Sequence, residues 1–322
     1  GRPLQGSLYI RQKTKSAGIC FFKRSTDKKI WKKILRSAGS NRTTPKQKII
    51  NYIMKLLKTF LFFISYSLLL ISCSVNKANN DESLKKYFDE NKVDGCFTML
   101  DNASGKVTVY NMKYDTMRFT PASTFKIFNS LVGLQTGRIT DEKMIIKWDG
   151  IKRWNEDWNK DMDMTEAFKV SNVAWYQEVA RRIGRDTMQF WLDSLQYGNH
   201  TIGKSIDSFW LNNTIKLTPD EQLGIMKRLF FNQLPFQKRT HEIVKRMMLR
   251  ESNANYQLSY KTGLTYNEKG DQLGWVVGWI EENKHPYFFV LNMEAPSNIP
   301  LVDTRISILK KILSNQRFFE RK

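Results

Sequence analysis

A serine and a lysine three positions apart are the first residues in this chain whose types and spacing suit nucleophilic catalysis. Ser123 and Lys126 lie in Pro121-Ala122-Ser123-Thr124-Phe125-Lys126, which opens an apolar stretch that predicts a helix. Because positions i and i+3 share one helix face, we expect the two side chains one turn apart. Burial lowers a lysine pKa by up to roughly 3–5 units, so a buried Lys126 is able to take the serine proton. Free N–H groups at a helix N-terminus would also stabilise an oxyanion.

This spacing is not specific on its own, because Ser-x-x-Lys also occurs at four other positions: Ser25, Ser74, Ser83 and Ser307. A second motif, Lys261-Thr262-Gly263, occurs once and directly follows Tyr256–Tyr260, whose pattern predicts a strand. Lys261 and Thr262 offer a cation and a hydroxyl to a carboxylate, and Gly263 lets a substrate lie close to the strand. The ordinary alternative for this motif is a strand end.

A third short motif, Ser171-Asn172-Val173, lies between the other two on a helix predicted over Glu166–Ile183. The Ser171 hydroxyl is suited to relaying a proton, and the ordinary alternative is a polar residue on a helix. The three cysteines and three histidines show no spacing typical of metal ligands, so we expect no metal site. We interpret Cys96 as a small buried residue rather than a reactive thiol.

The elements that must position these motifs are strands at both ends of the chain and helices between them. Besides Tyr256–Tyr260, four strands are predicted, over Cys96–Leu100, Val107–Tyr110, Leu273–Ile280 and Tyr287–Asn292, with a turn containing His285-Pro286 between the last two. Besides the helix that ends at Gly184, a capping box at Thr218–Glu221 begins a helix that runs to Phe231, and Ile306–Ile312 predicts a C-terminal helix. We therefore predict an α+β fold, with an antiparallel sheet formed from both ends of the mature chain, flanking helices, and a mostly helical insertion over about residues 121–235.

The formal net charge of +21 over 322 residues is concentrated near the N-terminus. Residues 1–72 contain 16 Lys and Arg against a single acid, Asp27, whereas the rest of the chain contains 36 Lys and Arg against 30 Asp and Glu. A surplus this small in the main part of the chain does not require a polyanionic partner. We therefore expect no nucleic-acid partner.

The segment from Met54 to Ser72 has the pattern of a bacterial lipoprotein signal peptide. Met54–Lys58 carries two lysines, Thr59–Ile71 is an apolar run of suitable length, and Leu70-Ile71-Ser72-Cys73 resembles a lipobox. We expect lipidation of Cys73, a tether over residues 73–94, and export across the bacterial inner membrane to a lipid-anchored, periplasmic location. Residues 1–53 are interpreted as a non-native or upstream-translated extension. The alternative is that the apolar run forms a buried helix.

Taken in order, Ser-x-x-Lys, Ser-x-x and Lys-Thr-Gly resemble the motifs of penicillin-recognising serine enzymes, which include serine β-lactamases and penicillin-binding proteins. Tyr197-Gly198-Asn199 and Phe209-Trp210-Leu211 are similar to signatures of the class D, or oxacillinase-type, β-lactamases. Lys147–Gly150 and Tyr176–Gly184 are similar to that class as well. The resemblance covers residues 95–315 approximately and implies a β-lactamase catalytic domain over residues 95–322.

The resemblance implies a mechanism in which the motif lysine reacts with CO₂ to form a carbamate. Lys126 would then be an N6-carboxylysine that acts as the base in acylation and deacylation, so CO₂ or bicarbonate is required and no other cofactor is expected. Trp210 matches the tryptophan that steadies the carbamate, and Val173 would keep its surroundings dry. Tyr197 and Asn199 would support this region.

The other roles implied by the resemblance concern a bound β-lactam, the expected small-molecule partner. The catalytic group consists of Ser123 as the nucleophile, Lys126 as the base, Ser171 as the proton donor to the ring nitrogen, and Lys261. Substrate binding is expected from a second group: Thr262, Gly263, Leu264 and Arg305. In that group, the Leu264 N–H would join that of Ser123 around the oxyanion, and Arg305 would join Lys261 and Thr262 around the substrate carboxylate.

Two other functions remain open from the sequence: a β-lactam sensor domain that acylates without turnover, and a penicillin-binding protein that acts on peptidoglycan. A complete sensor would carry several membrane helices and a His-Glu-x-x-His motif, which this sequence lacks. Tyr197-Gly198-Asn199 and Trp210 argue against the penicillin-binding protein. The sequence does not determine whether the substrates are penicillins, oxacillin, cephalosporins or carbapenems. It does not determine the oligomeric state either.

Overall fold

The computed structural model describes residues 44–70 and 78–320, with the side chains of residues 63–70 outside that description. The chain divides into two compact units, Gly1–Ser74 and Val75–Lys322. In the first unit, helix α1 (Pro45–Leu70) begins before Met54 and contains most of the predicted signal peptide. Among the described residues, no helix is both long enough and apolar enough to cross a membrane. The predicted lipidation site, Cys73, lies outside the described residues, so its modification stays a prediction.

The second unit contains the catalytic motifs. Its helices are α2 (Lys85–Asp89), α3 (Met112–Asp115), α4 (Phe125–Gln135), α5 (Met164–Lys169), α6 (Val173–Ile183), α7 (Arg185–Leu195), α8 (Pro219–Phe230), α9 (Lys238–Met248) and α10 (Leu301–Asn315). Its strands are β1 (Ala78–Asn80), β2 (Asp94–Asp101), β3 (Val107–Tyr110), β4 (Ile145–Ile146), β5 (Met162–Asp163), β6 (Leu249–Ser252), β7 (Tyr256–Tyr266), β8 (Gln272–Glu282) and β9 (His285–Ala295).

Seven of these strands form one sheet in the order β1-β3-β2-β9-β8-β7-β6. Strand β1 runs parallel to β3, and the other neighbouring strands are antiparallel. Strand β2, from the start of the unit, pairs with β9, from its end, so that Cys96 lies opposite Asn292. The predicted α+β fold, with a sheet formed from both ends of the mature chain, is therefore confirmed.

Both faces of the sheet are covered, and the alternation of side chains along β8 shows how. Trp275 and Val277 belong to a core shared with the inserted helices, whereas Val276 and Ile280 belong to a second core shared with α2 and α10. Successive residues of a strand point to opposite faces, so β8 supplies both cores. Burial on both faces explains why this strand is almost continuously apolar.

Helix α8 begins as its sequence predicts. The Thr218 hydroxyl accepts a hydrogen bond from the Glu221 backbone N–H, the Glu221 side chain accepts one from the Thr218 N–H, and Pro219 is the first helical residue. This reciprocal pair satisfies two N–H groups that would otherwise lack a partner.

Cys96 is buried and forms no disulfide bond, as expected.

The tether predicted over residues 73–94 is wrong for its described part. Strand β1 pairs with β3, Asp81 accepts a hydrogen bond from the Ser83 backbone N–H at the start of a short 3₁₀ turn, and Leu84 and Phe88 are buried in the second core. The polar composition of residues 76–82 concealed this, because β1 makes its contacts through the backbone. Residues 78–94 therefore belong to the folded unit.

Two further boundaries differ from the prediction. The turn between β8 and β9 is Asn283-Lys284, both in the left-handed region with φ of 52° and 65°, and His285 and Pro286 already belong to β9. Two-residue hairpins favour such positive φ values, so the turn is as tight as a hairpin allows. The helical insertion also extends past residue 235, because α9 continues to Met248.

Candidate active site

Ser123 lies in a 3₁₀ turn, Ala122–Thr124, that leads directly into α4. The residue before it, Ala122, has φ 50°, in the left-handed region that costs energy for any residue with a side chain. Lys126, one turn into the helical segment, places Nζ 2.7 Å from Ser123 Oγ. The contact predicted from the i, i+3 spacing is thus present.

Lys126 is completely buried, and its surroundings favour the neutral amine. Burial is the cause that lowers its pKa from 10.5 to about 7. Its Nζ lies 5.6 Å from the centre of the Tyr176 ring, and the Tyr176 hydroxyl forms a hydrogen bond with the Ser130 hydroxyl rather than with the lysine. At this distance from Ser123 Oγ a neutral Nζ is able to accept the Ser123 hydroxyl proton, which is what a base for this nucleophile requires.

Trp210 is buried against the start of the same helix. Its ring stacks on Phe125 with the centres 5.2 Å apart and the planes at 14°. Its indole N–H is buried and has no hydrogen-bond partner among the described residues. Since an unpaired buried donor is costly, this N–H marks a place where an acceptor would bind favourably.

Ser171 does not lie on a helix, in contrast to the prediction of one helix over Glu166–Ile183. Helix α5 ends at Lys169, Ser171 has φ 57°, and α6 begins after Asn172, whose side chain accepts a hydrogen bond from the Trp175 N–H. The turn directs the Ser171 hydroxyl to Lys261, whose Nζ is 3.0 Å from Oγ. The predicted stop at Gly184 is present, with φ 81°.

Lys261 lies inside a long strand rather than after its end, because β7 continues from Tyr256 through Lys-Thr-Gly to Tyr266. Its side chain is 1% exposed and also donates to the Thr262 carbonyl at 3.0 Å. Burial, followed by the positive charges of Lys126, Arg250 and Arg305, holds the pKa of Lys261 well below its usual range. A bound anion would reverse that effect.

The packing of the protein requires a glycine at position 263, independently of the space that this glycine leaves for a substrate. A Cβ at this position would lie 2.9 Å from the Pro121 carbonyl oxygen and 3.3 Å from Thr124 Cγ2. Strand β7 therefore packs directly against the turn that carries Ser123. This contact brings the Lys-Thr-Gly and Ser-x-x-Lys motifs together.

Arg305 reaches the same strand from α10. Its guanidinium is 8% exposed, and Nη1 donates to the Gly263 carbonyl oxygen. Its Nε has no partner in the described part of the chain, and burial lowers its pKa to about 10. Thr262 and Leu264, on either side of Gly263, are half-buried. The substrate-binding residues predicted around Lys-Thr-Gly therefore lie close together.

Known proteins resemble this chain in sequence and in fold. The profile of the penicillin-binding protein transpeptidase domain matches residues 95–314. The probable β-lactamase YbxI of Bacillus subtilis is 39% identical over 238 residues, which cover 74% of this chain and 86% of that protein. The crystal structure of a class D β-lactamase from Sebaldella termitidis is 32% identical, with a TM-score of 0.73 over 76% of this chain and all of that one.

The chain belongs to the class D serine β-lactamase family. A similar segment also occurs in the regulatory protein BlaR1 of Bacillus licheniformis, which is 33% identical over 215 residues. That match covers 66% of this chain but only 35% of BlaR1. Most of BlaR1 therefore has no counterpart in this class D chain.

The other predicted residues of this class D chain lie around the catalytic group rather than within it. Tyr197 is buried with its ring against Phe125 and Phe128. Asn199 is exposed and braces the backbone, donating to the Thr214 carbonyl and accepting from the Lys216 N–H, both at 3.0 Å. These contacts hold the segment that contains Trp210 against α4.

Val173 is the first residue of α6 and is half-buried. Two residues that were not predicted from the sequence hold the Ser123 turn from outside. Trp275 donates its indole N–H to the Thr120 carbonyl at 2.8 Å, and Gln222 donates to the Thr124 hydroxyl at 2.8 Å. A glutamine among the apolar residues of the predicted helix at 219–231 was the available signal for the second contact.

Proposed function

We propose that this chain hydrolyses β-lactam antibiotics by forming and then releasing an acyl-enzyme on Ser123. The 2.7 Å contact between Ser123 Oγ and Nζ of the completely buried Lys126 carries the proposal. The names of its class D relatives agree with this activity.

Acylation begins when the Lys126 side chain takes the proton from Ser123 Oγ. The oxygen then attacks the β-lactam carbonyl carbon, an ester bond forms, and the carbon–nitrogen bond of the ring breaks. The released ring nitrogen takes a proton from Ser171, whose hydroxyl is hydrogen-bonded to Lys261. Ser171 regains its proton from the protonated Lys126 side chain, so that Lys126 is again a base and Ser171 again a hydroxyl before deacylation. Backbone N–H groups of Ser123 and Leu264 hold the oxyanion that forms on the carbonyl.

The substrate carboxylate binds among Lys261, Thr262 and Arg305. Lys261 and Arg305 are buried basic side chains without an ion-pair partner among the described residues, and the charge of Arg305 repels the ammonium form of Lys261. A carboxylate placed between them relieves this repulsion and accepts charge-assisted hydrogen bonds. Binding should therefore raise the pKa of Lys261 and keep its ammonium group charged.

We propose in addition that Lys126 is N6-carboxylated. Only a neutral amine attacks CO₂, and burial keeps the Lys126 pKa near neutrality. The unpaired indole N–H of Trp210 fits this group, since it offers a donor to a carbamate oxygen. The carbamate supplies an anionic base in place of the amine. Val173 restricts the access of water to this side of the pocket.

Deacylation uses the same side chain a second time. Lys126 takes a proton from a water molecule, whose oxygen attacks the ester carbonyl. The bond between the carbonyl carbon and Ser123 Oγ breaks, and the serine regains its proton. The opened β-lactam then leaves, and expression of the protein would confer β-lactam resistance.

We propose that the protein is exported and anchored through a lipid on Cys73, as the signal-peptide pattern over residues 54–72 suggests. Incorporation of a radiolabelled fatty acid into cells that express the full chain tests this. Label should appear in the parent and disappear in Cys73→Ser. Equal labelling of the two proteins, or none in the parent, would contradict the anchor.

Hydrolysis of a chromogenic cephalosporin by the full purified chain tests the activity, with Ser123→Ala as the control and with bicarbonate added or removed. Turnover that rises with bicarbonate and vanishes in Ser123→Ala supports both the acyl-enzyme and the carbamate. Turnover independent of bicarbonate rejects only the carbamate. A single stoichiometric burst with a stable adduct would instead indicate a sensor.

A further inference from the structure

A buried hydrogen-bond chain ties the Ser123 turn to helix α8. Gln222 Nε2 donates to Thr124 Oγ1 at 2.8 Å, and Thr124 Oγ1 donates to the Pro121 carbonyl oxygen at 2.7 Å. Gln222 and Thr124 are each 1% exposed. Pro121 and Thr124 lie on either side of Ser123 in the sequence, so these hydrogen bonds enclose the nucleophile.

The direction of each bond in this chain follows from its chemistry. A threonine hydroxyl has one proton, and the carbonyl of Pro121 is able only to accept it. The remaining partner of Thr124 must therefore donate, as the Gln222 amide does. A carboxylate or an apolar side chain at position 222 would leave the hydroxyl without its donor in a buried site.

The turn needs external support because its backbone is strained. Ala122 has φ 50°, so the turn holds this conformation only if its surroundings impose it. Trp275 bonds the Thr120 carbonyl on one side, and Gly263 packs against the Pro121 carbonyl. Gln222 is the side-chain donor to the residue that immediately follows Ser123.

We propose that Gln222 is a positioning residue that acts through Thr124 to hold Ser123 Oγ at Lys126 for acylation. The inference rests on the proposed acyl-enzyme mechanism. Gln222 touches neither the substrate nor the reacting atoms, so its effect should fall on the acylation rate constant and not on substrate affinity. A displacement of about 1 Å at a reacting group lowers rates by as much as roughly 10²-fold.

A double-mutant cycle with Gln222→Met and Thr124→Val tests the proposal in the full chain. Both replacements keep the approximate size of the side chain and remove the hydrogen bond. The acylation rate constant and the substrate dissociation constant are measured separately by stopped-flow with a chromogenic cephalosporin. We expect each single variant to acylate about 10- to 100-fold more slowly with an unchanged dissociation constant, and the double variant to be no slower than either.

Two controls separate positioning from general destabilisation. Gln189→Met removes a glutamine that donates to Asp193 and to the His200 carbonyl, away from the Ser123 turn, and should acylate at the parent rate. Thr124→Ser keeps the hydroxyl and should restore most of the rate lost in Thr124→Val.

Unchanged acylation in folded Gln222→Met, or additive losses in the double variant, would overturn the proposal. If Gln222→Met does not fold, equal rates for Thr124→Val and Thr124→Ser would overturn it. Failure of the parent to acylate would reject the proposed function instead, so the two failures are distinguishable.

Discussion

Lys126 and Lys261 are both buried and both have a lowered pKa, yet the surroundings that lower it differ. Around Lys126, burial is the cause of the lowered pKa, and Nζ lies 5.6 Å from the centre of the Tyr176 ring. Around Lys261, burial is reinforced by the charges of Arg250 and Arg305, and by that of Lys126 whenever its amine is protonated. The first region is apolar around a single amine, whereas the second brings several basic side chains together at the edge of the substrate site.

This difference separates proton transfer from anion binding. A neutral amine 2.7 Å from Ser123 Oγ is equipped to act as a base. A group of buried cations is equipped to bind a carboxylate, which restores the ammonium form of Lys261. Substitutions in the first region should therefore lower kcat, and substitutions in the second should chiefly raise KM.

Lys126→Met should cause the largest loss. Removal of a general base costs up to roughly 10⁴-fold in kcat. The same variant should be more thermally stable than the parent, because an apolar side chain replaces a buried amine. Steady-state hydrolysis and thermal unfolding of the two proteins measure both effects. Hydrolysis within tenfold of the parent would remove Lys126 from the mechanism.

Ser171→Ala and Ser171→Gly should each slow acylation by roughly 10²-fold, because both remove the proton donor. The glycine variant should be the more stable by about 1 kcal/mol, since Ser171 has φ 57° and only glycine adopts this conformation without strain. Rapid-mixing kinetics and thermal melts of the pair separate the hydroxyl from the backbone. Parent-like acylation in either variant would exclude Ser171 as the donor.

Arg305→Ala should raise KM by about 10- to 100-fold with a smaller change in kcat, as expected for loss of a hydrogen bond to a charged group. The matched control is the methyl ester of the same penicillin, which lacks the carboxylate. Parent and variant should then have similar KM values. An equal loss with the acid and the ester would show that Arg305 acts on the protein rather than on the carboxylate.

Trp210→Phe should keep the stacking on Phe125 and lose the unpaired indole N–H. We expect the bicarbonate concentration for half-maximal activity to rise roughly tenfold, the value of one charge-assisted hydrogen bond. Trp191→Phe, whose ring stacks on Phe236 away from Lys126, is the control and should not change it. An unchanged bicarbonate requirement in Trp210→Phe would exclude Trp210 as a donor to the carbamate.

The stability gain of Lys126→Met should shrink as pH rises from 7 toward 10.5 in bicarbonate-free buffer. The folded pKa of Lys126 is about 7, below its ordinary value of 10.5, so the unfolded chain binds more protons in this window and the parent gains stability with rising pH. The slope is at most about 1.4 kcal/mol per pH unit. Urea unfolding of both proteins at several pH values measures it, and a constant difference would contradict a neutral Lys126.

Local spacing was sufficient to predict the Ser123–Lys126 contact, because both residues lie on one helical turn. The hydrogen bond between Ser171 and Lys261 could not be predicted in this way, since it depends on how the turn between α5 and α6 lies against β7. Only the order of the motifs indicated that these residues meet. The antiparallel sheet was predictable from strands at both ends, since strands that lie far apart in sequence must pair to bury their apolar faces.

Other features lacked a local signal. Nothing around Ser171 indicates a left-handed residue, so two helices were predicted as one. Helix α9 was missed because five of its first nine residues, Lys238–Arg246, are Lys, Arg or Glu and conceal its buried positions. The hydrogen bonds from Gln222 and Trp275 to the Ser123 turn are long-range contacts, which appear only when the sheet and the inserted helices are assembled.

Intact-protein mass spectrometry of the full chain mixed with a penicillin tests the central claim most directly. We predict a transient adduct of one penicillin on Ser123 in the parent and no adduct in Ser123→Ala. In Lys126→Met the adduct should form slowly, on a small fraction of the protein, and should not be released. An adduct that persists in Ser123→Ala, or a parent that hydrolyses the penicillin without any acylation of Ser123, would contradict the mechanism.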